Sequence, residues 1–290
     1  MKQYIKIFIS IAILALIFYK IDTKETIAMI AQINLSTILL LFAISLIKFI
    51  SQAFNWGLCL NIVKHHNYEP VNWKIILKTH IIGLILRLVV LGGLGAFGKI
   101  FFINRDKKIT TYSILIEKFF IIWIICFFAV WAVIYAPFVS KLDIINSIGF
   151  LPLAFIISIL PLFLPKFLKK TSVGYVKDSY IKTLPLLITS QIVFIVLTFV
   201  QYYVLLKYFV DFYFSFIDVA ILVSFILVTN VIPITYSGLG LRESASVWLL
   251  PMIGVSPEIA VGTSLIIFFF NAVVPALPGL FFIIKKKGTH

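Results

Sequence analysis

Two glycines and two adjacent charges stand together in a long apolar stretch in the last third of the chain. The sequence Gly-Leu-Gly-Leu-Arg-Glu contains Gly238, Gly240, Arg242 and Glu243. Glycine disfavours a helix interior by about 1 kcal/mol relative to alanine, so this pair indicates a helix break. A helix that begins after the break offers backbone N–H groups to anions, and an arginine in its first turn adds a bidentate phosphate donor. The motif therefore predicts a phosphate site, with a tight turn between close-packed limbs as the alternative.

A similar cluster occurs earlier, where Gly93 and Gly95 lie in Gly-Gly-Leu-Gly and Lys99 follows. Both clusters contain Gly-Leu-Gly, and both have a cation a few residues later. Paired interruptions in the two halves of a hydrophobic chain are typical of transporter binding sites. The two clusters are therefore predicted to line one site from opposite halves, with Lys99 on the inner side.

Charged residues also lie deep inside apolar segments. Glu117 is roughly 12 Å into its helix at a rise of 1.5 Å per residue, near the middle of a hydrocarbon layer about 30 Å thick. Adjacent helix residues do not face each other, so Glu117 and Lys118 each need a partner elsewhere. The same rule predicts partners from the other half for the Arg-Glu pair, because an unpaired charge there is costly. These groups either form a fixed network or contact substrate or a coupling ion. The expected cross-pairs are drawn from Arg87, Lys99, Glu117, Lys118, Arg242 and Glu243.

Two more polar residues lie in predicted spans. Lys48 is costly at its depth unless it faces a cavity or snorkels, and Asn271 either hydrogen-bonds between helices or binds ligand. No nucleophile-elbow, Walker or zinc pattern is present, so the sequence predicts no enzyme, metal or cofactor. The candidate substrate-binding residues are Arg242, Glu243, Gly238, Gly240, Gly93, Gly95, Lys99, Arg87, Glu117, Lys118, Lys48 and Asn271.

Composition places these residues in a membrane protein. The chain has 290 residues, of which 62% are hydrophobic and 12% charged, whereas soluble domains have roughly 25% charged residues. Its net charge of +14 comes mainly from short loops beside apolar segments, which favours the positive-inside effect over nucleic-acid binding. Spans and short loops account for the chain and leave no room for a soluble catalytic domain.

The apolar segments predict about six full spans and two interrupted stretches. The spans are 4–19, 37–63, 109–136, 148–164, 184–210 and 257–284, and the interrupted stretches are 75–103 and 216–252.

The positions of the cations predict how these segments cross the membrane. Cationic loops belong in the cytoplasm and cation-poor loops outside. Each interrupted stretch then begins and ends on one side, so each is expected to be a hairpin that turns at its glycines. The predicted cytoplasmic segments are 64–78, 104–108, 165–182 and 285–287, and the outer loops are 20–36, 137–146 and 207–215.

The fold prediction follows from this topology. We expect an all-α integral membrane protein, with residues 1–290 as a single polytopic domain. Half-repeats 37–136 and 184–284 are predicted to have inverted topology, with broken or re-entrant hairpins meeting at a central cavity. The predicted location is a bacterial inner membrane, with multiple passes and both termini in the cytoplasm.

Several of these residues carry a resemblance to a known family. The second-half signature is similar to that of the flippase-like region of lysylphosphatidylglycerol synthases and their stand-alone relatives, and the first-half pattern resembles its counterpart. The matching residues are 233–243, Asn271 and Pro275 in the second half, and 92–95, Lys99, Glu117 and Lys118 in the first.

The resemblance implies movement of a phosphate-bearing lipid between leaflets. In two-domain relatives that lipid is aminoacylated phosphatidylglycerol, made by a soluble synthase domain that this chain is expected to lack. Stand-alone members could carry other anionic or polyprenyl-linked lipids. Glu117 or Glu243 would couple protons, and a homodimer is an open possibility. The alternatives are an ion-coupled carrier of a small polar solute and a non-transporting subunit of a lipid or glycan biosynthesis complex.

Overall fold

The computed structural model describes residues 19, 23–63, 70–89, 91–135, 149–168, 177–211, 213–232 and 238–279. The predicted first span, 4–19, lies outside these residues except for Tyr19, and so does the 285–287 tail. The described chain is built from helices, and no strand occurs within these ranges. This confirms the all-α prediction.

The helices fall into long and short elements. The α-helices are α1 (Thr23–Ala31), α2 (Leu35–Ile62), α3 (Trp73–Val89), α4 (Lys107–Tyr135), α5 (Leu151–Leu168), α6 (Lys177–Phe209), α7 (Phe216–Val228), α8 (Leu241–Leu249) and α9 (Pro257–Phe268). The other helices are two 3-10 helices, Leu91–Phe102 and Leu250–Ile253, and a π-helical segment, Phe269–Val273.

Four helices are long and apolar enough to cross a membrane. They are Leu35–Ile62, Lys107–Tyr135, Tyr180–Phe209 and Pro257–Gly279, and each matches a predicted span. The α5 region and α7 are shorter apolar helices. The membrane-type fold is therefore confirmed, while the total number of spans stays a prediction.

Helix α2 shows why the chain needs an apolar solvent. Leu39, Phe42, Leu46 and Ile50 form an exposed stripe at helical spacing. The opposite face buries polar side chains, among them Lys48. A soluble helix has the reverse arrangement, with its apolar stripe facing the core. Here the apolar stripe faces lipid, and the polar groups find partners inside the bundle.

The first interrupted stretch is an antiparallel pair of helices. Gly95 packs on the backbone of Leu86, and Lys99 lies beside Gly83, so α3 and the Leu91–Phe102 helix run in opposite directions. The prediction that the glycines form the turn is wrong for this stretch. Gly93 and Gly95 lie in the returning limb. At Gly95 the absence of a side chain lets this limb approach the backbone of α3.

We expect Gly95→Ala to destabilise this helix pair. Its methyl group would overlap the carbonyl oxygen of Leu86, a backbone atom that cannot rotate away. The cost of overpacking is about 1–3 kcal/mol. Unfolding in mixed detergent–SDS micelles would measure it.

Gly98→Ala is the matched control. Its methyl group would meet the Leu86 methyl Cδ1, the end of a flexible side chain. The decrease in the free energy of unfolding should be clearly smaller than for Gly95→Ala. Equal losses would contradict the close backbone contact at Gly95.

The second interrupted stretch is also divided into two helices. Helix α7 ends at Val228, and the chain returns through Gly238–Gly240 into α8. Gly238 and Gly240 both have positive φ, of 79° and 86°, which glycine adopts without steric cost. A Cβ at Gly238 would lie 2.7 Å from Asn230 Oδ1, so the two limbs meet there. These glycines do form the predicted turn.

The two halves have the same order of elements: a long helix, two shorter helices and a second long helix. The most extensive contact between them joins α2 to α6. Helix α4 of the first half packs on α7, and Gly279, beyond α9, packs on Ile81 and Ile85 of α3. The half-repeat boundaries and their inverted orientation stay predictions.

Candidate functional site

The first buried ion pair joins Lys99 to Glu117. Lys99 Nζ donates to both carboxylate oxygens of Glu117 at 2.8 Å, and both side chains are almost fully buried. The ammonium also lies 4.1 Å from the ring centroid of Trp56, whose indole N–H donates to Thr79 Oγ1 at 2.9 Å. Glu117 thus finds its partner on another element, as expected, but within its own half, so the expected pairing between halves is wrong for it. Sequence reasoning missed Trp56, because an aromatic residue in an apolar span carries no signal of its own.

The second buried ion pair joins Arg242 to its neighbour Glu243. Partners from the other half were expected, and that prediction is wrong. The rule that adjacent residues point apart applies to helix interiors, whereas these residues lie in the first turn of α8. There the Glu243 carboxylate turns back and accepts the Gly240 N–H at 2.7 Å, which brings it within reach of the guanidinium.

A serine of α9 completes this pair. Arg242 Nε donates to Ser264 Oγ at 2.9 Å, and Ser264 Oγ donates to Glu243 Oε1 at 3.3 Å. The guanidinium carbon lies 4.8 Å from the Phe268 ring centroid. Both the ion pair and Ser264 are buried. The cluster therefore ties α8 to α9 and leaves Glu243 well satisfied.

Some of the backbone N–H groups at the start of α8, which were expected to be free to bind phosphate, already donate hydrogen bonds within the protein. Gly240 N–H donates to Glu243, and Arg242 N–H donates to Gly238 O at 3.1 Å. The helix start is thus capped by the protein's own carboxylate, which is favourable beside the positive end of the helix dipole. A phosphate would have to displace that carboxylate to use this position.

Two other predicted residues, Arg87 and Lys118, lie near the ion pairs. Arg87 is close enough to Arg242 and Glu117 to interact with both electrostatically. Lys118 is likewise close enough to Arg87 and to the Lys99–Glu117 pair to interact with them electrostatically. The structure therefore brings the predicted charges of both halves into one region, although each ion pair forms within its own half.

The remaining predicted residues, Lys48 and Asn271, meet elsewhere. Lys48 Nζ donates to Gln201 Oε1 at 2.8 Å, and Asn271 Nδ2 donates to the same oxygen at 2.7 Å. Gln201 Nε2 donates to Ser45 Oγ at 2.8 Å. Asn271 thus bonds between helices, from the π-helical segment. Such segments are frequent at functional sites.

These contacts belong to a polar seam between α2 and α6. It continues through Asn55, whose Nδ2 donates to Ser190 Oγ at 2.9 Å, and Gln52, whose Nε2 donates to Gln191 Oε1 at 3.4 Å. Sequence reasoning missed most of the seam, although its polar residues recur at helical spacing on α2. The polar seam consists of Ser45, Lys48, Gln52 and Asn55 on α2 with Ser190, Gln191 and Gln201 on α6.

Long lipid-facing helices, broken helix pairs and buried ion pairs together define an integral membrane protein of the polytopic helical class. The chain belongs to the lysylphosphatidylglycerol synthase transmembrane-region family, whose model matches residues 3–279. Among curated proteins none matches the chain. The family match confirms the resemblance found in the sequence.

Proposed function

We propose that this protein is a lipid translocase that moves a phosphate-bearing lipid between membrane leaflets. The observation that carries the proposal is an open apolar groove of about 630 Å³ between the halves. Trp131 and Tyr135 of α4 form one wall of the groove. Phe199 of α6 and Phe216 of α7 line its other sides. A lipid needs an apolar path for its acyl chains that is open along its length, and the open, apolar lining of this groove supports that role.

Helix α6 connects the groove to the polar interior. Phe199 lines the groove, while Gln201, two residues on, takes part in the polar seam. An acyl chain on one side of α6 and a headgroup on the other would match the two-sided chemistry of a phospholipid. Related proteins with a synthase domain suggest an anionic or aminoacylated lipid, and a polyprenyl-linked lipid fits the same chemistry.

Other parts of the proposal follow from the family and the sequence. The chain would act as a transporter and not as an enzyme, in a bacterial inner membrane with both termini in the cytoplasm. Its inverted half-repeats would alternate access to the interior, with the helix pairs of 75–103 and 216–252 re-entering from opposite faces. Protons would be the coupling ion. A second copy of the chain and proteins of lipid or glycan synthesis are the candidate partners.

Two rivals make different predictions. An ion-coupled carrier of a small polar solute needs a closed polar cavity, whereas the groove is open and apolar. A non-transporting subunit is favoured by the internally satisfied Arg242–Glu243 cluster, which resembles a structural lock. Transport measurements separate both from the translocase.

Purified protein in liposomes should move fluorescent phosphatidylglycerol from the inner to the outer leaflet, measured by dithionite quenching. Ala220→Trp fills the groove and should slow the movement several-fold. Ala43→Trp makes the same change on the exposed face of α2 and should leave the rate unchanged. Movement no faster than in protein-free liposomes would refute the translocase proposal.

A further inference from the structure

Lys48 is a buried cation whose hydrogen bond goes to a neutral partner. Its side chain is 3% exposed. Nζ donates to the amide oxygen of Gln201 at 2.8 Å and lies 5.0 Å from the Phe194 ring centroid. Within the part of the chain that the structure describes, the two buried carboxylates, Glu117 and Glu243, form salt bridges with Lys99 and Arg242, and neither pairs with Lys48.

An ammonium group carries three donors, and one carbonyl oxygen does not neutralise its charge. At membrane depth such an arrangement costs several kcal/mol and is typical of functional positions. By contrast, Lys99 and Arg242 each have a carboxylate partner. Of these three buried cations, Lys48 is therefore the one best able to receive an anion from outside the chain.

A second, independent observation lies in the same seam. Gln191 Nε2 is buried and has no hydrogen-bond partner among the described residues. Gln52, which donates to Gln191 Oε1, is four residues from Lys48 on the same face of α2, so the orphaned amide belongs to the same stretch of the seam as the ammonium. The seam thus has an excess of donors and lacks the acceptor oxygens that would satisfy them.

We infer that Lys48 and Gln191 bind the phosphate of an anionic lipid when α2 and α6 separate. A phosphodiester supplies acceptor oxygens and a negative charge, which are the two things the seam lacks. In the closed seam, the amide oxygen of Gln201 occupies the place of one phosphate oxygen. The inference deepens the proposed function by naming residues that recognise the headgroup, away from the satisfied Arg242–Glu243 pair.

The binding test compares two lysines in the same kind of ring contact. Lys48→Met removes the buried charge at similar volume. Lys166→Met is the control, because Lys166 is exposed and also lies 5.0 Å from a phenylalanine ring centroid, that of Phe163. Thermal unfolding in detergent is followed during titration with phosphatidylglycerol, phosphatidylcholine or inorganic phosphate.

Phosphatidylglycerol should stabilise the wild type and Lys166→Met at the same half-saturating concentration. Lys48→Met should need about tenfold more, a loss of about 1.4 kcal/mol. Gln191→Leu should weaken binding in the same direction, and Lys48→Arg should retain it. Stabilisation by inorganic phosphate alone would assign the site to free phosphate instead of a lipid headgroup.

The inference is overturned if Lys48→Met, folded and monodisperse, keeps the wild-type half-saturation, or if neither anion stabilises the wild type. It is separable from the proposed function because the binding measurement needs no transport. A wild type that binds phosphatidylglycerol through Lys48 but moves no lipid would refute the translocase and leave the site standing. If the Lys48→Met variant moves lipid with the same headgroup preference as the wild type, the site is refuted and the translocase proposal stands.

Discussion

Linking Asn55→Cys to Ser190→Cys is expected to abolish lipid movement, and reduction is expected to restore it. The two native side chains touch across the polar seam, with Asn55 Nδ2 and Ser190 Oγ 2.9 Å apart. Side chains in contact place their Cβ atoms near the range that a disulfide or a short reversible thiol cross-linker spans. If transport requires α2 and α6 to separate, a covalent link must stop it.

The experiment needs a background without native thiols. Cys59 lies 3.7 Å from Asn55 Oδ1, so Cys59→Ala and Cys126→Ala are introduced first. Liposomes are then assayed by dithionite quenching before oxidation, after it and after reduction. Each single cysteine variant should be insensitive to the oxidant.

A cross-link within one half is the matched control. Asn61 Oδ1 accepts the Val71 N–H at 3.2 Å, and both residues belong to the first half. Asn61→Cys with Val71→Cys should leave transport unchanged when oxidised. Full transport by the protein cross-linked between positions 55 and 190 would show that the seam does not open, and the alternating-access proposal would then be wrong.

Glu243→Ala is expected to cause the largest loss of stability. It leaves the buried guanidinium of Arg242 without its carboxylate and removes the acceptor of the Gly240 N–H. Breaking one side of a buried ion pair costs about 3–5 kcal/mol. Unfolding in SDS-containing mixed micelles measures the change. Asp211→Ala, at an exposed acid, should change stability by at most about 0.5 kcal/mol.

Removing both charges should cost much less than removing one. The Arg242→Met, Glu243→Leu double variant leaves no uncompensated charge, and such replacements are often neutral or stabilising. A double variant as unstable as Glu243→Ala would contradict the ion-pair argument. If the double variant is stable, its transport decides the role of the pair: normal movement makes it a structural lock, and lost movement makes it part of the transport path.

The sequence was sufficient for the four long spans. Membrane crossing depends on about 20 consecutive apolar residues, a local property of composition. The four long helices therefore lie within a few residues of their predicted positions, except where α6 begins earlier. The turn at Gly238 and Gly240 could also be predicted from the sequence, because a positive φ favours glycine over almost every other residue.

The partners of the charged residues were decided by tertiary structure. Lys48 bonds to Gln201, 153 positions away, and no local pattern shows which helix faces meet. The Arg242–Glu243 pair was mispredicted because a rule for helix interiors was applied to a first turn that a carboxylate cap reshapes. Composition determines that a polar side chain in a membrane needs a partner, whereas the packing of distant helices determines which partner it finds.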